Sequence, residues 1–318
     1  MLKRRQLGRS GLMVSEFCFG ALPLGPLQAN LSLQNSAKLM RQAFELGINF
    51  FDTAEMYKTQ GYIGEAFKGA DRDQVVIATK SMASDYKAMQ ASVEQSLREL
   101  KRDYIDIYHL HAARVGGEVF AERAGALECL LDYKQKGYVR AVGISTHSVT
   151  ATCAAAEQDE IDIVFPIINK MGMGIINGTR AEMEAAIAKA AQAGKGVYAM
   201  KVLAGGHLIE EAVAAINYVR ALPGMVSLAV GVVKEEELKY DYRIFSGQIT
   251  MDGQEQSPRR TSKQLLISQF CKGCGQCVEA CPNGALRVEE SKARVDHGLC
   301  LQCGYCSPAC PEFAIRLI

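Results

Sequence analysis

Val75-Val76-Ile77-Ala78-Thr79-Lys80 opens on four apolar residues in succession and closes on a threonine and a lysine. An apolar run without polar alternation suits a strand covered on both faces, as in a parallel sheet flanked by helices. Similar runs recur at Glu16–Ala21, Asn49–Thr53, Ile105–His111, Val139–Ser145, Ile161–Ile167, Val197–Val202 and Ser227–Val232. Between them apolar residues return at helical spacing. Leu33, Ala37, Met40 and Phe44 keep to one helical face, as do Met89, Val93, Leu97 and Leu100. Gly47, Gly137 and Gly194 stand where such helices would stop. Eight strands, seven helical stretches and an eighth from Glu235 give the count of an α/β fold, the (β/α)8 TIM barrel. An open doubly wound sheet would want a GxGxxG loop after its first strand, and none is present. The first 14 residues, turning at Gly8–Gly11, read as a hairpin outside the barrel count.

The chain has 318 residues, with 36 Lys+Arg against 35 Asp+Glu. That balance gives no electrostatic reason to expect nucleic acid or an anionic membrane as partner. The basic start, Met1-Leu2-Lys3-Arg4-Arg5, does not lead into a secretion signal, because Ser15, Glu16, glycines and prolines interrupt Leu12 to Leu27. No stretch approaches the ~18 apolar residues of a membrane span. A cytoplasmic location is expected. Cysteine is the outlying count: eleven in all, with only Cys18, Cys129 and Cys153 before residue 271. In a reducing compartment such a cluster points to metal or redox chemistry, and the three isolated residues to barrel packing.

Cys271-x2-Cys274-x2-Cys277-x3-Cys281-Pro282 is followed by Cys300-x2-Cys303-x2-Cys306-x3-Cys310-Pro311. This is the bacterial ferredoxin run, written twice. A tight loop presents three thiolates to one cube, and the cysteine before proline crosses to the other. Cys271, Cys274, Cys277 and Cys310 are thus assigned to one [4Fe–4S] cluster, and Cys300, Cys303, Cys306 and Cys281 to the second. Zinc sites instead show paired CxxC units with a longer loop between them. The segment resembles two-cluster ferredoxins over about 55 residues. The expected organisation is a barrel over 1–240, a polar linker over 241–262 and a small ferredoxin-like 2[4Fe–4S] domain over 263–318.

In a barrel of this kind, polar residues at the C-terminal ends of strands read as catalytic. Asp52 ends its strand, with Tyr57 in the loop that follows; Lys80 and His111 end theirs. His109 shares the face of His111 but lies deeper, as a packing residue. A Tyr phenol, ordinarily with a pKa of ~10, serves as a general acid if a neighbouring Lys ammonium favours its phenolate. An Asp holds that Lys charged, and a His binds the carbonyl oxygen. This set delivers a proton to a carbonyl oxygen as hydride arrives at carbon.

Phe51-Asp52-Thr53-Ala54-Glu55-Met56-Tyr57, Gly64-Glu65-Ala66, Ala78-Thr79-Lys80 and Tyr108-His109-Leu110-His111 resemble the aldo-keto reductase superfamily. Val142-Gly143-Ile144-Ser145 and Ala199-Met200-Lys201 with Leu203-Ala204-Gly205-Gly206 extend the resemblance to later strands, over about residues 1–240. It implies a reductase using NADP or NAD, with Asp52, Tyr57, Lys80 and His111 as tetrad. It also implies nicotinamide contacts from Ser145, Thr146, Asn169, Met200, Lys201, Leu203, Gly205 and Lys234. Thr146 stands where many relatives carry Asn, and Phe165 lies near the place of a strand-six Gln. Met200 replaces the stacking aromatic, and Glu235-Glu236-Glu237 replaces a basic phosphate-binding segment. Cluster-bearing aldo-keto reductases of anaerobes are similar in both parts. The expected substrate is a small carbonyl or alcohol, with an external ferredoxin or another carrier as electron partner. The alternative is an electron carrier or docking protein whose barrel no longer performs hydride transfer.

Overall fold

The computed structural model describes residues 2–250, 255–259 and 264–317. Strand β1 (Arg4–Gln6) pairs antiparallel with β2 (Met13–Ser15). The turn between them brings Gly8, at φ 55°, within van der Waals range of the barrel floor: a Cβ there would stand 2.1 Å from the Gly196 amide nitrogen. Leu7, Leu12 and Val14 are buried with the barrel's inner core, so the hairpin plugs the N-terminal end.

Eight parallel strands then close on themselves. They are β3 (Phe17–Gly20), β4 (Phe50–Asp52), β5 (Val76–Ser81), β6 (Ile105–His111), β7 (Val139–Thr146), β8 (Ile163–Pro166), β9 (Gly196–Ala199) and β10 (Met225–Gly231). Each falls on its expected segment. Their inward residues, among them Cys18, Phe50, Ala78, Ile107, Phe165 and Tyr198, fill the barrel. Helices pack outside, beginning with Leu33–Glu45 and ending with Glu235–Phe245. Side-chain caps start several of them: Ser32 accepts from the Asn35 amide, Asp85 from Ala88 and Ser148 from Ala151. The last helix runs on to Phe245, whose ring stacks on Phe17 at 4.7 Å. Cys18 and Cys129 are buried and Cys153 half-buried, as packing residues should be.

Residues 255–259 lie back against that last helix. Arg259 forms a buried ion pair with Asp241 and donates to the Gly231 carbonyl. The remainder of the expected linker, at 251–254 and 260–262, lies outside the described residues. In the C-terminal unit β11 (Leu265–Ile267) pairs with β14 (Ile315–Leu317), and β12 (Leu286–Glu289) with β13 (Lys292–Val295).

This unit is seated on the C-terminal mouth of the barrel. Leu301 is buried in the barrel's outer core. Gly205 lies so close to Leu301 that a Cβ would be 2.3 Å from its carbonyl oxygen, and Gly304 stands equally close to that of Leu27. His207 Nε2 meets the Cys300 carbonyl at 3.0 Å, and Gln28 donates to that of Gln302 at 3.2 Å.

Candidate active site

Strand register brings the three polar strand-end residues together, and Tyr57 follows in the short helical turn Glu55–Tyr57 after β4. Asp52 pairs with Ala78 across β4 and β5, Lys80 with His109 across β5 and β6, and His111 with Ser145 across β6 and β7. Lys80, with its side chain 1% exposed, donates to both Asp52 carboxylate oxygens at 2.7 and 2.9 Å and to the Thr53 carbonyl at 2.7 Å. Burial pushes Asp52 up and Lys80 down, while their mutual attraction opposes both shifts. The ionised pair is the state the geometry supports, because three acceptors surround the nitrogen and only an ammonium has three protons.

Asp52 is held from a second side. Tyr198 donates to it at 3.0 Å and meets His109 Nε2 at 2.7 Å, while the Phe165 ring stacks on Tyr198 at 3.8 Å. His109 is therefore a supporting group beneath the tetrad as well as a packed one.

Tyr57 sits above Lys80, whose Nζ is 5.1 Å from the ring centroid. Its phenol is pushed well above the usual range by burial, then by Tyr305 and Asp52. That is opposite to the direction expected from a neighbouring ammonium, and the reason is local. The charge of Lys80 is engaged by Asp52, so burial dominates at Tyr57. Burial, with Lys80 adding to it, drives His111 well below its usual range, which keeps the imidazole neutral. The Tyr57 and His111 rings meet edge-on at 6.0 Å.

A cavity of about 370 Å³ opens beside Tyr57 and extends to Lys234, Pro258 and Arg259. Met200, Lys201, Leu203, Gly205 and Lys234 line it. Ser145, Thr146 and Asn169 are not among the lining residues. Thr146 accepts from the Ser148 amide, and Asn169 uses its amide group to hold Met173 in a turn. The loop after β9 places Lys201 and Ala204 at positive φ, 59° and 48°, a costly backbone for residues that carry a Cβ. Glu237 turns inward to the Val233 amide, and Glu235 to Gln42 and Lys239, so these two carboxylates already have partners.

The cysteines gather as two sets. Cys277 interacts electrostatically with Cys271, Cys274 and Cys310; Cys306 does so with Cys303, Cys281 and Cys300. Backbone amides point at the sulfurs: Gly273 and Ala293 donate to Cys271, Ala285 to Cys281 and Ala314 to Cys310, at 3.3–3.4 Å. Among the described residues no three His, Cys, Asp or Glu converge as ligands of a single ion. A cubane asks instead for one thiolate at each of four iron corners, which these sets offer.

The second set borders the cavity. Cys303 lines it, and Lys201 lies beside Cys300 and Cys303. His147, pushed down to about 3 by burial and then by Lys201, is a neutral neighbour. Tyr305 reaches from the same loop to Tyr57. Tyr198, His147 and Tyr305 went unread in the sequence. His147 follows the nominated Ser145 and Thr146 directly, but nothing local marks Tyr305.

Residues 16–221 match the model of the Aldo/keto reductase family, and residues 270–315 that of the 4Fe-4S dicluster domain. Among curated proteins, the L-galactose dehydrogenase of Arabidopsis thaliana is 34% identical over 157 residues, covering 45% of this chain and 48% of that protein. The methylglyoxal reductase DkgA of Yersinia pestis is 28% identical over 191 residues, covering 57% and 67%. The chain spans about half the length of the first of these relatives. A solved Pseudomonas aeruginosa structure, described as an aldo-keto reductase, superposes with a TM-score of 0.66 at 26% identity, covering 77% of this chain and 95% of that one. No helix among the described residues is long and apolar enough to cross a membrane.

Proposed function

Because the chain belongs to the aldo/keto reductase family, we propose that it is an iron–sulfur oxidoreductase that reduces a small carbonyl compound at the barrel mouth. The observation that carries this reading is Tyr57, which stands over the Asp52–Lys80 pair and faces a cavity that Cys303 also lines. Tyr57 is the proton donor. Its phenol, raised by burial, is protonated at neutral pH, which is the form a proton donor needs. Neutral His111 orients the carbonyl oxygen, Lys80 sets the field beneath Tyr57, and Asp52 fixes Lys80.

A bound nicotinamide nucleotide, NADP or NAD, would supply hydride, with Met200, Lys201, Leu203, Gly205 and Lys234, which line the cavity, as the residues to hold it. The eight cysteines would hold two [4Fe–4S] clusters, which supply single electrons. An external ferredoxin is the proposed electron partner. Anaerobic protein should contain iron and sulfide for two clusters, and Tyr57→Phe should lose about 10²–10⁴-fold in aldehyde reduction. Full turnover in Tyr57→Phe would overturn the assignment.

A second reading, an electron carrier without hydride transfer, draws on the Phe165–Tyr198 stack and on Tyr305 in the mouth. Equilibrium binding of NADH and NADPH to anaerobic protein discriminates, since absence of both favours the carrier.

A further inference from the structure

Tyr305 lies between Cys303 and Cys306 in the chain, yet its side chain ends in the tetrad. Its hydroxyl is 3.1 Å from that of Tyr57 and 3.4 Å from His111 Nε2. Its ring centroid is 6.2 Å from each of theirs. We propose that the Tyr305 oxygen occupies the place of the substrate's carbonyl oxygen, so that a carbonyl compound binds productively only by displacing it. Tyr305 then sets which carbonyls bind and how tightly. The inference rests on the reading of Tyr57 and His111 as the two groups that hold that oxygen.

The hydrogen-bond inventory makes the mimicry specific. His111 Nδ1 is buried without a partner. A buried lone pair is better tolerated there than a buried N–H, so the ring proton belongs on Nε2. His111 Nε2–H and Tyr57 O–H can then both donate to the Tyr305 oxygen, as they would to a carbonyl. An oxygen accepting from both donors sits roughly 2.7–3.0 Å from each. Tyr57 O–H and His111 Nε2–H carry one hydrogen each, so the Tyr305 oxygen and a carbonyl oxygen cannot both accept from the pair, and the carbonyl gains them only by displacing Tyr305.

The side chain yields, not the loop. Gly304 is pressed against the Leu27 carbonyl and Gly205 against that of Leu301, so the backbone on this side has no room to slide. Tyr305 also packs on Leu27, Ala54 and Tyr57. Rotation of Tyr305 into the cavity that it lines is the remaining motion. The competition amounts to about one net hydrogen bond, which corresponds to about a tenfold change in affinity.

The test uses anaerobic full-length protein with its clusters, and benzaldehyde as the probe. Tyr305→Phe keeps the ring and removes the oxygen; Tyr305→Leu removes both. Calorimetric Kd without reductant and steady-state KM should each fall about tenfold in Tyr305→Phe, with kcat little changed and iron content intact. Tyr305→Leu should move Kd in the same direction. If neither variant binds benzaldehyde more tightly than the wild type, the inference is overturned. A fall in kcat at constant KM overturns it too, because the hydroxyl would then be serving the reaction. Tyr57→Phe in the same assay separates the two levels. Lost turnover there, beside an unchanged Kd in Tyr305→Phe, leaves the reading of the site intact.

Discussion

Lys80 is buried with a full charge, and its energetics depend on Asp52. Removing one partner of such a pair strands the other without water, at a cost of about 3–5 kcal/mol. Asp52→Ala should therefore lower stability by that order in anaerobic denaturant titration. Asp52→Leu combined with Lys80→Met should recover much of it while remaining inactive. Equal stability of Asp52→Ala and wild type would show that the pair is not ionised. The same burial shapes the pH dependence. Tyr57 is raised, so it keeps its proton through neutrality; the falling limb of aldehyde reduction should lie above the ordinary phenol value of about 10. His111 is lowered, so no limb should appear near the ordinary imidazole value of about 6.5. A kcat/KM profile with a break there would show His111 titrating as an exposed histidine. Asp52, Tyr57, Lys80 and His111 were legible because each stands at or just beyond the end of an apolar run. The upward shift of Tyr57 was not, since it comes first from burial and then from Tyr305, which reaches the site from the far end of the chain.

At the level of elements, two glycines of one connection are constrained differently. Gly8 and Gly11 belong to one hairpin connection and both have positive φ, 55° and 74°. An alanine at either meets the same left-handed backbone strain. They differ in surroundings, because a Cβ at Gly8 would strike the Gly196 backbone whereas nothing lies within 4 Å of one at Gly11. Gly11→Ala should cost about 1 kcal/mol. Gly8→Ala should cost a further 1–3 kcal/mol or so from overpacking. Thermal unfolding of the two variants checks the order. Activity per folded molecule should stay at the wild-type level in both, since the hairpin closes the end opposite the tetrad. The strands and the hairpin were readable from apolar runs and turn glycines. The loop after β9 was not: Lys201 and Ala204 adopt left-handed φ against residue preference.

On the scale of the whole molecule, the cysteine-rich unit forms one wall of the site. The spacing of its cysteines was legible because cluster chemistry fixes it. Its docking was not, because Tyr305 meets Tyr57 across 248 positions of chain and no periodicity reports such a contact. The unit's own core is small. Leu265, Leu286 and Ile315 are its large buried aliphatics, and six of the eight cysteines make up much of the remainder. Segments of this size rarely bury enough apolar surface to stand alone, so cluster binding supplies folding free energy. Its contacts with the barrel include those of the Cys300–Cys306 loop, through Leu301, Gly304 and Tyr305. The barrel, by contrast, has a closed sheet and a continuous core of its own. Loss of iron should therefore unfold 264–317 while the barrel keeps its far-ultraviolet spectrum. It should also withdraw Tyr305 from the tetrad. Anaerobic chelation followed by limited proteolysis checks this, with cleavage expected first within the C-terminal unit and a barrel fragment surviving. Simultaneous loss of both parts would show instead that the barrel depends on its wall.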